Sequence, residues 1–342
     1  MIDGHGNDTE GLRHRLKADF STNVFNNPQT EALLQYLAGQ LGTIRNYPDS
    51  NCRILRRKIA GCYRLEPENI LVTNGSTEAF YLLAHLFKKG RSAIRIPAFS
   101  EYEDACRLYN HQIHFSGELP KPDSDFSPQL VWLGNPNNPD GRYLTPEELV
   151  PCLEKAPRQF FIVDEAYIDL CAGGQSMAPL VKKYANLVVI KSFTKLFAIP
   201  GIRIGYLVAN PALIASLREH HMPWVVNSLA LKAGAYISDL PELKTDAVRQ
   251  CLSNSQKLQK ELSSWQGLRV TASPTNYFLV TLTTGTAAAL KRELLEQHGF
   301  LIRDTSNFRG LGPGSFRLAA QDEQTNKAFI HALQAGLNVI QS

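Results

Sequence analysis

A chain of 342 residues, 44% apolar and 20% charged, has the composition of a globular protein and is long enough for two unequal domains. The net charge of +4 is small and the basic residues are dispersed, which argues against a nucleic-acid partner or a polybasic membrane anchor. No apolar run approaches the roughly 20 residues that span a bilayer, and residues 1–20 lack the apolar core of a signal peptide, so a cytoplasmic protein is expected.

In chain order, the stretch to about Thr30 reads as loop, dense in small polar residues (His5-Gly6-Asn7, Ser21-Thr22-Asn23, Asn27-Pro28). Residues 29–41 have helical spacing, Asn46-Tyr47-Pro48-Asp49 is a break, and 51–64 form a second helix with a basic outer face. A short strand at 70–73 runs through Asn74-Gly75-Ser76-Thr77 into a helix predicted from Ala79 to Phe87. That turn sets backbone N–H groups at a helix start, where an anion is favoured, although an ordinary capped helix reads equally well. Strands follow at 92–96, 111–115, 130–133 and 160–163, with helices at 102–109 and from Thr145, a capping-box start with Glu148. The third of these strands ends in Asn135-Pro136-Asn137-Asn138-Pro139-Asp140-Gly141 and the fourth in Asp164-Glu165-Ala166-Tyr167. Strand–helix alternation with polar residues at the C-terminal strand ends predicts a doubly wound α/β domain with its ligand site there.

Next comes the stretch Val188 to Ala209. Its first apolar run stops at Lys191-Ser192-Phe193-Thr194-Lys195, and Arg203, eight residues past Lys195, lies in a second run, 202–208. Ser192 and Thr194 suit phosphate oxygens, Arg203 suits the same phosphate through its planar fork, and Lys195 is then an amine beside an anchored phosphate. That combination suggests pyridoxal phosphate. The same chemistry needs a carboxylate at the pyridine nitrogen, for which Asp164 is the candidate. It also needs donors to the ring oxygen (Tyr167, Asn138) and a stacking ring (Phe99). Each has an ordinary structural reading too: helix cap, core edge, turn former, core aromatic.

Helices are predicted at 211–221 and 229–237. After about residue 238 the pattern changes to a compact α+β unit, with helices at 242–265, 285–299 and 322–340 and strands at 268–272, 276–283, 300–304 and 314–320. The six cysteines form no CxxC pair and have no His cluster beside them, so reduced thiols are expected, with no metal and no disulfide framework.

The segments NPNNPDG, VDEAY, SFTK with an arginine eight residues on, and YPD, in that set and over nearly the whole chain, resemble the fold-type-I aminotransferase superfamily. The resemblance implies an α/β aspartate-aminotransferase-like fold. It implies an N-terminal segment (1–30) near the active site, a large cofactor domain (31–237) and a small domain (238–342). It makes Lys195 the Schiff-base lysine, Asp164 the pyridinium partner, and Asn138 and Tyr167 the ring-oxygen donors. Ser76, Thr77, Ser192 and Arg203 become the phosphate cradle, with backbone N–H groups from Gly75 and Ser76. Tyr47 resembles the tyrosine that reaches a partner subunit's cofactor phosphate, which implies a homodimer with shared sites. Arg317 resembles the arginine that binds a substrate α-carboxylate. Two positions depart from the family pattern: Asp140 stands where the turn usually has Thr, adding a negative charge close to the site whose effect the sequence does not tell, and Thr194 replaces a Ser.

Within the superfamily the chain is similar to the branch of histidinol-phosphate aminotransferases and threonine-phosphate decarboxylases. The His5-Gly6-Asn7 start, the 302–311 segment, Met222-Pro223-Trp224 and the SFTKLFAIPGIRIGY run resemble the decarboxylases. The implied reaction is decarboxylation of L-threonine O-3-phosphate to (R)-1-amino-2-propanol phosphate for cobalamin synthesis, with histidinol-phosphate aminotransferase as the alternative. Arg309 and His5 suit the substrate phosphate by charge, and Asn23 is a further substrate-binding candidate. A non-catalytic cofactor-binding regulator is disfavoured, because no room for a helix-turn-helix precedes Thr30.

Overall fold

The computed structural model describes residues 16–119, 126–243 and 245–341; His5 lies outside them. Its strands are β1 (Ala18–Asp19), β2 (Ile70–Thr73), β3 (Arg91–Arg95), β4 (Gln112–Ser116), β5 (Leu130–Gly134), β6 (Phe160–Asp164), β7 (Leu187–Ser192), β8 (Gly205–Val208), β9 (Leu268–Thr271), β10 (Tyr277–Leu282), β11 (Phe300–Leu301), β12 (Arg303–Asp304) and β13 (Ser315–Ala319). Seven of them form one sheet in the order β2-β8-β7-β6-β5-β3-β4, and β8 alone runs antiparallel to its neighbours.

The apolar strands are continuous because both faces of this sheet are covered. Alternate residues feed two separate cores: Val131, Leu133, Phe161, Val163, Leu187 and Val189 pack on one face. Leu130, Trp132, Ile162, Val188 and Ile190 pack on the other. This topology brings the C-terminal ends of β2, β5, β6 and β7 to one edge, beside the start of β8.

A second, antiparallel sheet (β12-β13-β10-β9) builds a third core with the helices Asp246–Ser263, Ala287–Glu293 and Glu323–Gln341. The N-terminal segment joins that core. Its β1 pairs with β11, and Phe20 stacks on Phe329 at 4.2 Å. The residues after β1 then cross to the first sheet, where the Phe25 N–H donates to the Lys195 carbonyl at 2.9 Å and the Thr30 hydroxyl to the Phe197 carbonyl at 2.8 Å.

Three expectations are corrected. The helix after Gly75 starts at Ser76, three residues early, because Glu78 closes its first turn onto the Asn74 N–H at 2.6 Å. Arg203 is not inside a strand: it follows a 3-10 turn (Pro200–Ile202) with φ +58°, and β8 begins only at Gly205. The single strand expected at 300–304 is two, because Phe300–Leu301 pairs with β1 while Arg303–Asp304 pairs with β13. No helix among the described residues is long and apolar enough to cross a membrane.

Candidate active site

Two adjoining cavities open where the strand ends of the large sheet meet the second sheet. The inner, about 90 Å³, is lined by Ser76, Thr77, Asp164, Ser192, Thr194 and Arg203, among others. The outer, about 340 Å³, is lined by Ser21–Val24, Glu103, Phe115, Arg303, Arg309 and Arg317, among others. Phe99, Asn138, Tyr167 and Lys195 line both.

The inner cavity is assembled from strand ends. Ser192 closes β7, and its hydroxyl lies 2.8 Å from that of Thr194. Gly75 holds φ +78° with its Cα against the Arg203 guanidinium; any Cβ there would collide with it. Arg203, held in the left-handed region, places its fork over that turn, and among the described residues only its Nη1 finds a partner, the Pro200 carbonyl at 3.2 Å. Donors thus converge on a small space at a helix start, an arrangement that suits a phosphate.

Asp164 ends β6 and is 8% exposed. One carboxylate oxygen accepts from the Tyr102 hydroxyl at 2.7 Å and the other from the Ala166 N–H at 3.0 Å. Burial holds its pKa above the usual carboxylate range, against those two bonds and the nearby Lys195. Lys195 Nζ stands 5.8 Å from the centre of the Tyr167 ring and has no acceptor among the described residues. The next residue after Asp164, Glu165, turns to the opposite side. It accepts from the Ser176 hydroxyl (2.5 Å) and the Met177 N–H (2.6 Å), with Lys191 and Asp169 paired nearby at 3.3 Å. Burial pushes Glu165 up to about 7.

In the outer cavity Arg317 is buried on β13. Its Nη2 donates to the Ser21 carbonyl at 2.6 Å, its Nη1 donates to Asn138 Oδ1, and its Nε has no partner among the described residues. Asn23, also buried, has an unpartnered Nδ2. Unsatisfied buried donors in a cavity wall are costly without a ligand. Arg309 is held by Glu103, with Nε–Oε2 at 3.1 Å and Nη2–Oε1 at 2.8 Å.

Of the residues singled out from sequence, Ser76, Thr77, Phe99, Asn138, Asp164, Tyr167, Ser192, Lys195 and Arg203 meet at the inner cavity, and Asn23, Arg309 and Arg317 at the outer. Tyr47 lies in neither. It is 84% exposed and lines a separate surface cavity with Tyr36, Ile54 and Tyr236. Asp140 is paired within its own turn. The residue is 2% exposed, lines neither cavity, and pairs with Arg142 Nη2 at 3.1 Å while accepting from Asn137 Nδ2 at 2.7 Å. Its effect is to hold the turn that carries Asn138. Sequence reading missed Tyr102 and Glu103; the only signal was two polar groups on the buried face of a short helix, Ser100–Leu108.

The donor set fits pyridoxal phosphate on this geometry: an anion cradle at one end, a buried carboxylate and an unpaired amine between, and an aromatic wall from Phe99. The match to the model for "Aminotransferase class I and II" covers residues 17–333. The crystal structure of L-threonine-O-3-phosphate decarboxylase from Porphyromonas gingivalis superposes with TM-score 0.89 at 38% identity, over 94% of this chain and 99% of that one. The histidinol-phosphate aminotransferase from Clostridium acetobutylicum gives TM-score 0.85 at 27% identity, over 94% and 99%. A histidinol-phosphate aminotransferase of Caldanaerobacter subterraneus subsp. tengcongensis is 29% identical over 96% of this chain and 94% of its own. The chain therefore belongs to the aminotransferase class I and II family, the pyridoxal-phosphate enzymes of fold type I.

Proposed function

We propose that this protein is an L-threonine-O-3-phosphate decarboxylase, releasing CO₂ and (R)-1-amino-2-propanol phosphate for cobalamin biosynthesis. The observation that carries the reading is the outer cavity, whose arginines sit at two depths. Arg317 is deep beside Asn138, and Arg309 is at the wall by Phe115. Such a cavity suits one small molecule bearing a carboxylate at one end and a phosphate at the other. The 38% identity to the P. gingivalis decarboxylase supports the same choice.

Ser76, Thr77, Ser192 and Arg203, with the Gly75 and Ser76 N–H groups, would hold the cofactor phosphate. Asp164, fixed by Tyr102, would serve the ring nitrogen. Asn138 and Tyr167 would serve the ring oxygen, and Phe99 would supply the wall against the ring. When bound, pyridoxal phosphate supplies an electron sink for the pair released at the substrate's α-carbon. Arg317 binds the α-carboxylate and, with Asn23, orients it, so the bond from the α-carbon to the carboxylate is the one set to break. CO₂ leaves, and Lys195, as its ammonium, delivers a proton to the same carbon and is left as the neutral amine. Arg309 binds the substrate phosphate; His5 is a further candidate for that role.

The oligomer in this reading is a homodimer with shared sites. Tyr47, Ile44, Ile54, Met222 and Trp224 are all more than half exposed, a display of large apolar side chains that supports a covered face. The chain from about residue 238 is read as the small domain, after a large cofactor domain (31–237) and the N-terminal segment. The test is to supply O-phospho-L-threonine to the cofactor-loaded protein without any keto acid. Stoichiometric CO₂ and aminopropanol phosphate are expected. Glutamate formed from histidinol phosphate and 2-oxoglutarate, with no CO₂ from O-phosphothreonine, would replace this reading with the aminotransferase one.

A further inference from the structure

A carboxylate in the wall of a cavity that receives anions is a contradiction unless something neutralises it. Glu103 is such a carboxylate: its side chain is 8% exposed and it lines the outer cavity. Both its oxygens are taken by arginines. Arg309 grips it side-on through Nε and Nη2, and Arg107 Nε donates to it at 2.7 Å. Two guanidinium groups on one carboxylate leave the trio with a net positive charge, so it attracts an anion. The Arg309 guanidinium also lies 4.1 Å over the Phe115 ring. Its edge is fixed by Glu103 and its face by Phe115, which leaves Nη1 as the nitrogen without a partner among the described residues.

We propose that Glu103 is a positioning residue for substrate selection: with Phe115 it clamps Arg309, so that Nη1 is presented, already ordered, to the distal phosphate of the substrate. This rests on the proposed function for the identity of the substrate. An unrestrained arginine has about 2 kcal/mol of rotamer freedom to lose on binding, and an arginine that is already ordered has less to lose. The arginine comes from the segment between β12 and β13 and the carboxylate from the helix Ser100–Leu108, so the clamp also joins the two sheets' layers at the cavity mouth.

The test uses the cofactor-loaded protein and follows the absorbance of the bound cofactor during titration with O-phospho-L-threonine and, separately, L-threonine. In Glu103→Gln the Kd for the phosphorylated ligand should rise about tenfold, while that for L-threonine should not follow. Arg309→Lys, which keeps the charge and loses the fork, should show the same selective loss, and it keeps the test open if Glu103→Gln fails to fold. Equal weakening of both ligands would assign Glu103 a structural role only. Unchanged or tighter binding of the phosphorylated ligand in Glu103→Gln, or wild-type binding in Arg309→Lys, would overturn the proposal. If the wild type binds histidinol phosphate and not O-phosphothreonine, the substrate reading fails, and the clamp is judged by the same criteria on histidinol phosphate against histidinol.

Discussion

The inner and outer cavities share four side chains and are built in opposite ways. The inner one takes nearly all its groups from strand ends of a single sheet and the turns that leave them: Ser76 and Thr77 after β2, Asp164 at the end of β6, Ser192 to Lys195 at the end of β7, Arg203 before β8. The outer one gathers side chains from the N-terminal loop, β3 and the helix after it, β4, and the second sheet with its 304–311 segment. One is a rigid frame set by sheet register; the other is a meeting of segments far apart in the chain. In the proposed function the first carries the cofactor chemistry and the second the choice of substrate.

Mutations should divide along this line. The largest effect is expected at Lys195. Lys195→Ala should lower turnover by on the order of 10³-fold or more and abolish the visible absorbance of the cofactor held there, and a normal spectrum would contradict its role. Asp164→Asn should lower kcat by about a hundredfold, the scale of one lost preorganised electrostatic group, while the cofactor still binds. Arg317→Gln belongs to the outer set: it should weaken O-phosphothreonine about 10- to 100-fold, the scale of a lost hydrogen bond to a charged group, and leave cofactor affinity nearly unchanged. Equal loss of cofactor and substrate would erase the distinction between the two cavities.

The last effect is one of stability, not of turnover or binding, and lies behind the frame. Glu165, pushed up to about 7 by burial, binds its proton more tightly in the folded than in the unfolded chain. Its contribution is therefore complete below the ordinary glutamate range and falls as pH rises through about 7, by roughly 3–4 kcal/mol at most. Thermal midpoints of the wild type relative to Glu165→Gln should fall between pH 5 and pH 8. A constant difference would show that the side chain is ionised throughout.

The two construction modes also explain what could be read before the structure. The cradle was legible because its residues come in short runs that break the strand pattern, as at Lys191-Ser192-Phe193-Thr194-Lys195 and Asp164-Glu165-Ala166-Tyr167. Arg203 was placed in the site but in the wrong conformation, since nothing local marks a left-handed arginine. Tyr102 and Glu103 were missed because their partners, Asp164 and Arg309, lie 62 and 206 positions away, and pairing at that range is set by topology. For Asp140 the charge was visible in the sequence, while its pairing with Arg142, two residues on and free to point elsewhere, shows only in the structure.

The central claim is that the bond from the α-carbon to the carboxylate breaks, and the most direct measurement is where solvent hydrogen ends up. The cofactor-loaded protein should be given O-phospho-L-threonine in D₂O, without a keto acid, and carbon-bound deuterium measured by NMR. The proposed function predicts aminopropanol phosphate with one deuterium on the carbon that lost CO₂ and no deuterium in recovered substrate. Deuterium at the α-carbon of recovered O-phosphothreonine, with no CO₂ formed, would show that the C–H bond is the one broken and would contradict it.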